Sequence, residues 1–124
     1  MTLVLDTASQ PLKAVISVPG SKSIANRALI CAALADGTTT LSNLASGDDT
    51  AAMIDCLRAL HIEINVEGTV ATIKGSAGRP QGGAELNARL AGTTSRFMTA
   101  LAALSAVPSL ITGDAPLRHR PMKP

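Results

Sequence analysis

KAVISVPGSKSIANR, residues Lys13 to Arg27, is the stretch that decides the fold. Its first half, Lys13 to Val18, is rich in β-branched residues and halts at Pro19-Gly20, which predicts a strand ending in a turn. Its second half opens a helix. Ser21 and Ser23 are both candidate N-caps, and Ile24 to Leu34 is apolar on nearly every side, the pattern of a helix covered by neighbours all round. Asp36-Gly37 closes it. A strand that turns directly into a buried helix is the opening unit of an α/β protein.

The same turn carries the first chemical signal. A glycine turn feeding a helix N-terminus leaves backbone N–H groups unpaired, and the helix dipole adds partial positive charge there. Such a place binds anions. Lys22 adds a full charge, Ser23 a hydroxyl, and Arg27 follows Ser23 by four residues on one helical face. A plain helix cap with two solvated cations fits these residues equally well, and spacing alone leaves both readings open. A nucleotide P-loop does not fit. That motif needs a glycine directly before the lysine and another five residues earlier, whereas Ser21 precedes Lys22 here.

Outward from this stretch, Thr38 to Leu44 predicts a second strand. Ser46-Gly47-Asp48-Asp49 then offers caps to a helix in which Met53, Ile54, Leu57 and Leu60 form one buried stripe. Asp48 and Asp49 are adequate helix caps in their own right. From His61 to Glu67 the chain alternates, with Ile62, Ile64 and Val66 on one face, and Gly68-Thr69 separates it from Val70 to Lys74. Those runs predict an antiparallel hairpin. Gly75 to Gly83 reads as a solvated connector. A third helix fits Thr94 to Ala106, ahead of a short strand at Ser109 to Thr112. Ala32-Ala33-Leu34 and Ala102-Ala103-Leu104 hold matching places late in their helices, a faint sign of an internal repeat.

Two further turns resemble the first in kind. Ala91-Gly92-Thr93-Thr94-Ser95-Arg96 is again a glycine and hydroxyl turn entering a helix, with an arginine one turn in. Gly113 to Met122, GDAPLRHRPM, is predicted to be extended and bounded by prolines, which would set Arg118 and Arg120 on the same side. Arginine there offers forked donors to phosphate or carboxylate, although surface arginines in a loop are an equal alternative.

Bulk properties exclude other classes. The 124 residues suffice for one core, and 46% hydrophobic with 16% charged residues is ordinary for a globular chain. The net charge is only +2 and Phe97 is the sole aromatic residue, so neither a basic nucleic-acid field nor base-stacking faces are present. Cys31 and Cys56 both fall in apolar helical patterns and read as small core residues. No secretory signal and no membrane-length apolar run appear, which makes a cytoplasmic protein the default expectation. His61 and His119 lack partners at metal spacing, so no metal is assigned.

Taken in order, PGSKSIANRAL, NLASGDD, LAGTTSRF and GDAPLRHRPM resemble the successive motifs of the 5-enolpyruvylshikimate-3-phosphate synthase family, over nearly the whole chain. The resemblance implies repeated βαβαββ units of the enolpyruvyl transferase fold, an inside-out α/β barrel, incomplete here. On that pattern residues 1–19 belong to a second, mostly absent domain, 20–75 form the first repeat, and 76–124 start a truncated second one. It further implies transfer of the enolpyruvyl group of phosphoenolpyruvate to the 5-hydroxyl of shikimate 3-phosphate with release of phosphate, a step of aromatic amino acid biosynthesis needing no organic cofactor or catalytic metal.

Carried over by residue, the resemblance makes Lys22 a contact for both substrates' anionic groups. It assigns Ser23 and Arg27 to the carboxylate end of shikimate 3-phosphate, and Gly92, Thr93 and Arg120 to phosphoenolpyruvate. Arg96 is expected to shape its turn, and Asp49 to line the cleft as a candidate catalytic group. The proton-transferring residues are expected largely in the remainder of the polypeptide, so the fragment alone is expected to be inactive. Three positions depart from the usual pattern: Leu90 stands where many members have Asn, Gly47 where many have Ser, and Phe97 where a proline is frequent. Two rivals share the residues: a UDP-amino-sugar enolpyruvyl transferase, whose first motif has Lys-Asn in place of Lys22-Ser23, and a catalytically silent anion-binding module.

Overall fold

The computed structural model describes residues 2–5 and 7–121; Met122 of the fourth motif lies outside them. Helix α1 spans Lys22–Leu34, with Ser21 as N-cap, its Oγ accepting from the Ile24 N–H at 3.5 Å. Strand β1 is Thr38–Leu41, helix α2 Asp48–Ala59, and strands β2 and β3 are Glu63–Glu67 and Val70–Lys74. Strand β4 is Glu85–Asn87, helix α3 Gly92–Ala102, strand β5 Leu110–Thr112, and α4 a single turn at Ala115–Arg118.

β3 is the centre of a three-stranded antiparallel sheet in the order β1-β3-β2. Its register sets Leu41 opposite Ala71 and Ile64 opposite Ile73. The alternation of the sequence sorts the two faces: Ala71 and Ile73 are sealed against the helices, while Thr38, Thr40, Asn65, Thr72 and Lys74 point to water. Gly68, the first residue of the two-residue hairpin loop, takes φ +59, as such loops require. β4 and β5 form a second, parallel pair connected through α3. α1, α2 and α3 pack on one another, and Leu29, Met53, Leu57, Leu60, Ile73, Leu86 and Met98 are fully buried. Each such side chain contributes roughly 1.5–3 kcal/mol by leaving water. Among the described residues, no helix is long and apolar enough to cross a membrane.

Several expectations are corrected. Lys13–Val18 forms no strand; Val15, Ile16 and Val18 are 102%, 79% and 72% exposed, and no described strand lies beside them to supply a ladder. α1 is buried on one face only, through Ala25, Asn26, Leu29, Ala32 and Ala33, so Ile24 and Cys31 are exposed. Cys31 is therefore not a core residue, whereas Cys56 is. α3 ends at Ala102, four residues short of the expected Ala106, because Leu104 to Val107 turns away with little to cover it. The loop at 75–83 is more than a connector. Its Ser76 and Gly78 N–H groups donate to Ala33 and Leu34, satisfying carbonyls at the end of α1.

Gly20 sets the entry to α1. A Cβ there would overlap the Asn43 carbonyl oxygen, so the turn before the helix can lie against the segment after β1 only with glycine at this point.

Candidate functional site

Helix N-termini gather at one place. Lys22 is the first residue of α1, and its Nζ lies 2.8 Å from Oδ2 of Asp49, the second residue of α2. The main-chain carbonyl of Asp49 accepts from Oγ1 of Thr94, the third residue of α3, at 3.3 Å. One lysine, one aspartate and one threonine thus join the first turns of three helices, so their unpaired N–H groups and dipole ends share a surface.

Arg120 reaches the same surface from the other direction. Its Nη1 lies 3.3 Å from where a Cβ on Gly92 would stand, so the guanidinium rests against the bare opening residue of α3. Thr93, next along, is exposed, as are Lys22, Ser23 and Arg27. Arg27 curls back: its Nη1 donates to the Ser23 carbonyl at 2.9 Å, and its guanidinium lies 5.8 Å from the centroid of the Phe97 ring. This is a cation–π approach. Phe97, one of the three departures, therefore has work that a proline could not do.

The acidic residues do not act as caps. Gly47 is the N-cap residue of α2 and makes no side-chain cap bond, while Asp48 and Asp49 occupy the first two helical positions. There they complement the dipole. Asp48 is fully exposed and lies 3.7 Å from Arg89, whose Nη2 also meets Asp55 at 2.6 Å. Each carboxylate at the head of α2 thus has its own cation.

The fourth motif differs from its expected shape. Ala115–Arg118 is a helical turn with Pro116 near its start, so Arg118 and Arg120 do not alternate along a strand. Arg120 alone reaches Gly92; Arg118 borders a separate hollow with Ser95, Thr99 and Thr112. Arg96 is exposed, and among the described residues no ion pair or hydrogen bond ties it to the Lys22 and Asp49 cluster. Leu90 is half exposed. Sequence reasoning missed Thr94 and Arg89. Nothing in the sequence marked Thr94 over its neighbour Thr93, and Arg89 falls in a segment for which no element was expected.

Residues 7–124 match the profile of the family described as EPSP synthase (3-phosphoshikimate 1-carboxyvinyltransferase). The chain belongs to the EPSP synthase family. It is similar to the 3-phosphoshikimate 1-carboxyvinyltransferase of Carboxydothermus hydrogenoformans, 40% identical over 122 residues, covering 96% of this chain and 28% of that protein. The same-named protein of Thermosynechococcus vestitus is 44% identical over 116 residues, covering 90% of this chain and 26% of its own length. Among solved structures, EPSP synthase from Acinetobacter baumannii superposes with a TM-score of 0.80 at 29% identity, covering 86% of this chain and 25% of that one. The fold is thus the partial enolpyruvyl transferase architecture expected of EPSP synthases, and the chain spans about a quarter of these relatives' length.

Proposed function

We propose that this chain supplies one wall of an anion-binding cleft in an enzyme that moves the enolpyruvyl group of phosphoenolpyruvate to the 5-hydroxyl of shikimate 3-phosphate. The observation that carries this reading is the meeting of three helix N-termini through Lys22, Asp49 and Thr94, with Arg120 laid against Gly92. Both substrates carry a phosphate and a carboxylate, and a surface of oriented N–H groups with separate cations suits that pair of charges.

Within it, Lys22 contacts the anionic groups of both substrates, and Ser23 and Arg27 take the carboxylate end of shikimate 3-phosphate. Gly92, Thr93 and Arg120 hold phosphoenolpyruvate. Gly92 has no side chain to keep a ligand from the backbone of α3, and Arg120 stands beside it as a forked donor. Arg27 is held by Phe97 and by its own helix, which fixes the direction in which it can serve. Asp49 lines the cleft beside Lys22, and Arg96 shapes its turn. Residues 1–19 belong to a second domain, in keeping with the unpaired apolar stretch at 13–18.

In the reaction the 5-hydroxyl oxygen of shikimate 3-phosphate gives up its proton and bonds to the central carbon of phosphoenolpyruvate while the methylene carbon gains a proton. Loss of a proton from the resulting methyl group, with cleavage of the bond between that central carbon and the phosphate oxygen, releases phosphate and restores the double bond. This wall contributes orientation and charge stabilisation. The proton donors and acceptors come from the remaining polypeptide, as expected of a cytoplasmic two-domain enzyme that closes over its substrates.

The test is phosphate release from the two substrates, measured for this chain alone and for the chain joined to the remaining portion of an EPSP synthase. We expect none from the chain alone and turnover from the completed protein. Robust turnover by the chain alone would overturn the division of labour, and a folded but inactive completed protein would overturn the function.

A further inference from the structure

Arg89 lies three residues before Gly92 and stands in the left-handed region at φ +52, a conformation that a long side chain adopts only when its surroundings hold it there. Three sets of contacts do so. Its N–H donates to Oδ1 of Asn87 at 2.8 Å. Its carbonyl accepts from the N–H of Asp114 at 2.9 Å, and Asp114 is the N-cap residue of α4, the turn that leads to Arg120. Its guanidinium crosses to α2, where it meets Asp55 at 2.6 Å and Asp48 at 3.7 Å.

We infer that Arg89 is a positioning residue for the phosphoenolpyruvate side of the cleft: it ties the turn before α3, the turn before α4 and the head of α2 together, and so sets Gly92 against Arg120. The inference rests on the reading of Gly92 and Arg120 given above. Gly92 opens α3 at the end of the turn from β4, and Arg120 follows α4; Arg89 sits in the first of these turns and bonds directly to Asp114, which leads into α4. The guanidinium is 39% exposed and Asp55 54%, so the ion pair adds little to global stability. Its effect is local. By pairing with Asp48 it also offsets a carboxylate that would otherwise repel an anion at the head of α2.

Hydrogen exchange on this chain tests it, read at the Ala91, Ser95 and Asp114 amides, which close the two turns, with the amides of β3 as reference. Arg89→Gly keeps the backbone conformation accessible and removes the guanidinium, while Arg89→Lys keeps a cation. Asp55→Asn removes the nearer partner. We expect Arg89→Gly and Asp55→Asn to speed exchange about tenfold at these three amides and to leave β3 unchanged, with Arg89→Lys restoring most of the protection. Phosphoenolpyruvate titration of the same variants, each joined to the remaining portion of an EPSP synthase, should show binding weakened about fivefold in Arg89→Gly. Unchanged exchange at the three amides, or a rise shared equally by β3, overturns the positioning role. If the completed, unsubstituted protein takes up no phosphoenolpyruvate, the assignment of Gly92 and Arg120 fails, while exchange on the chain still decides whether Arg89 holds the two turns.

Discussion

The Lys22 ammonium and the Asp49 carboxylate stand 2.8 Å apart, and this contact joins the first turns of α1 and α2. The lysine side chain is 61% exposed, so the pair is worth at most about 1 kcal/mol to folding. Its significance is electrostatic. In the proposed cleft, Asp49 would fix the position of Lys22 and compete with any incoming anion for it.

Replacing either partner separates these effects. Lys22→Ala in the completed enzyme should weaken phosphoenolpyruvate binding about tenfold while moving the melting temperature by less than about 5 °C. Asp49→Asn should tighten binding of the same anion a few-fold, since a competing charge is gone, and should lower turnover if the carboxylate acts in the reaction. Titration calorimetry with each variant decides the matter. Unchanged affinity in Lys22→Ala removes the central residue of the site.

The two thiols should behave as opposites. Cys31 is exposed on the outer face of α1, whereas Cys56 is sealed, and burial followed by the nearby Asp55 charge pushes its pKa up to about 11, with Arg89 opposing. A thiol-alkylating reagent near pH 8 should modify Cys31 alone until the chain unfolds. Because the folded state keeps the Cys56 proton longer than the unfolded state, Cys56 contributes no loss of stability below about pH 9 and a growing loss as pH rises from about 9 to 11. Denaturant unfolding across that window should show roughly 1–3 kcal/mol less stability at the upper end, and Cys56→Ala should flatten the slope.

Leu86 bears on what the sequence could show. Helix α2 was legible because Met53, Ile54, Leu57 and Leu60 repeat at helical spacing, and the hairpin because Ile62, Ile64 and Val66 alternate up to Gly68. β4 was not, because it is three residues long with one apolar side chain, and no period can be read from a single Leu86 between Glu85 and Asn87. Its pairing with β5 is a non-local fact. The loss of the expected strand at 13–18 has the same origin: local composition favours extension, but a strand needs a neighbour. The turns proposed to bind anions were visible as glycine and hydroxyl motifs, while the links between the elements, Thr94 to Asp49 and Arg89 to Asp114, exist only once the helices are packed.

Leu86 should therefore matter more than its setting suggests. It is fully buried, in the core formed with α2 and α3, and Leu86→Ala should cost about 2–5 kcal/mol by emptying that space. Denaturant unfolding measures it. A loss below about 1 kcal/mol would mean that β4 is not a working part of the core.

Gly92→Ala offers the sharpest separation of fold from function. Gly92 is the first residue of α3, and its backbone is not in the left-handed region, so alanine fits the helix and should raise stability by about 0.5–1 kcal/mol. The added methyl would stand 3.3 Å from Nη1 of Arg120 and 3.9 Å from Cδ1 of Leu117. The Leu117 contact is ordinary; the Arg120 contact is tight, and the guanidinium is the free end of a flexible side chain that can give way. It would give way by leaving its place beside Gly92. A protein that is slightly more stable yet binds phosphoenolpyruvate about tenfold more weakly is the expected result, with melting temperature and titration measured on one sample. Equal affinity in the alanine variant would show that the Gly92 and Arg120 contact does not hold the ligand.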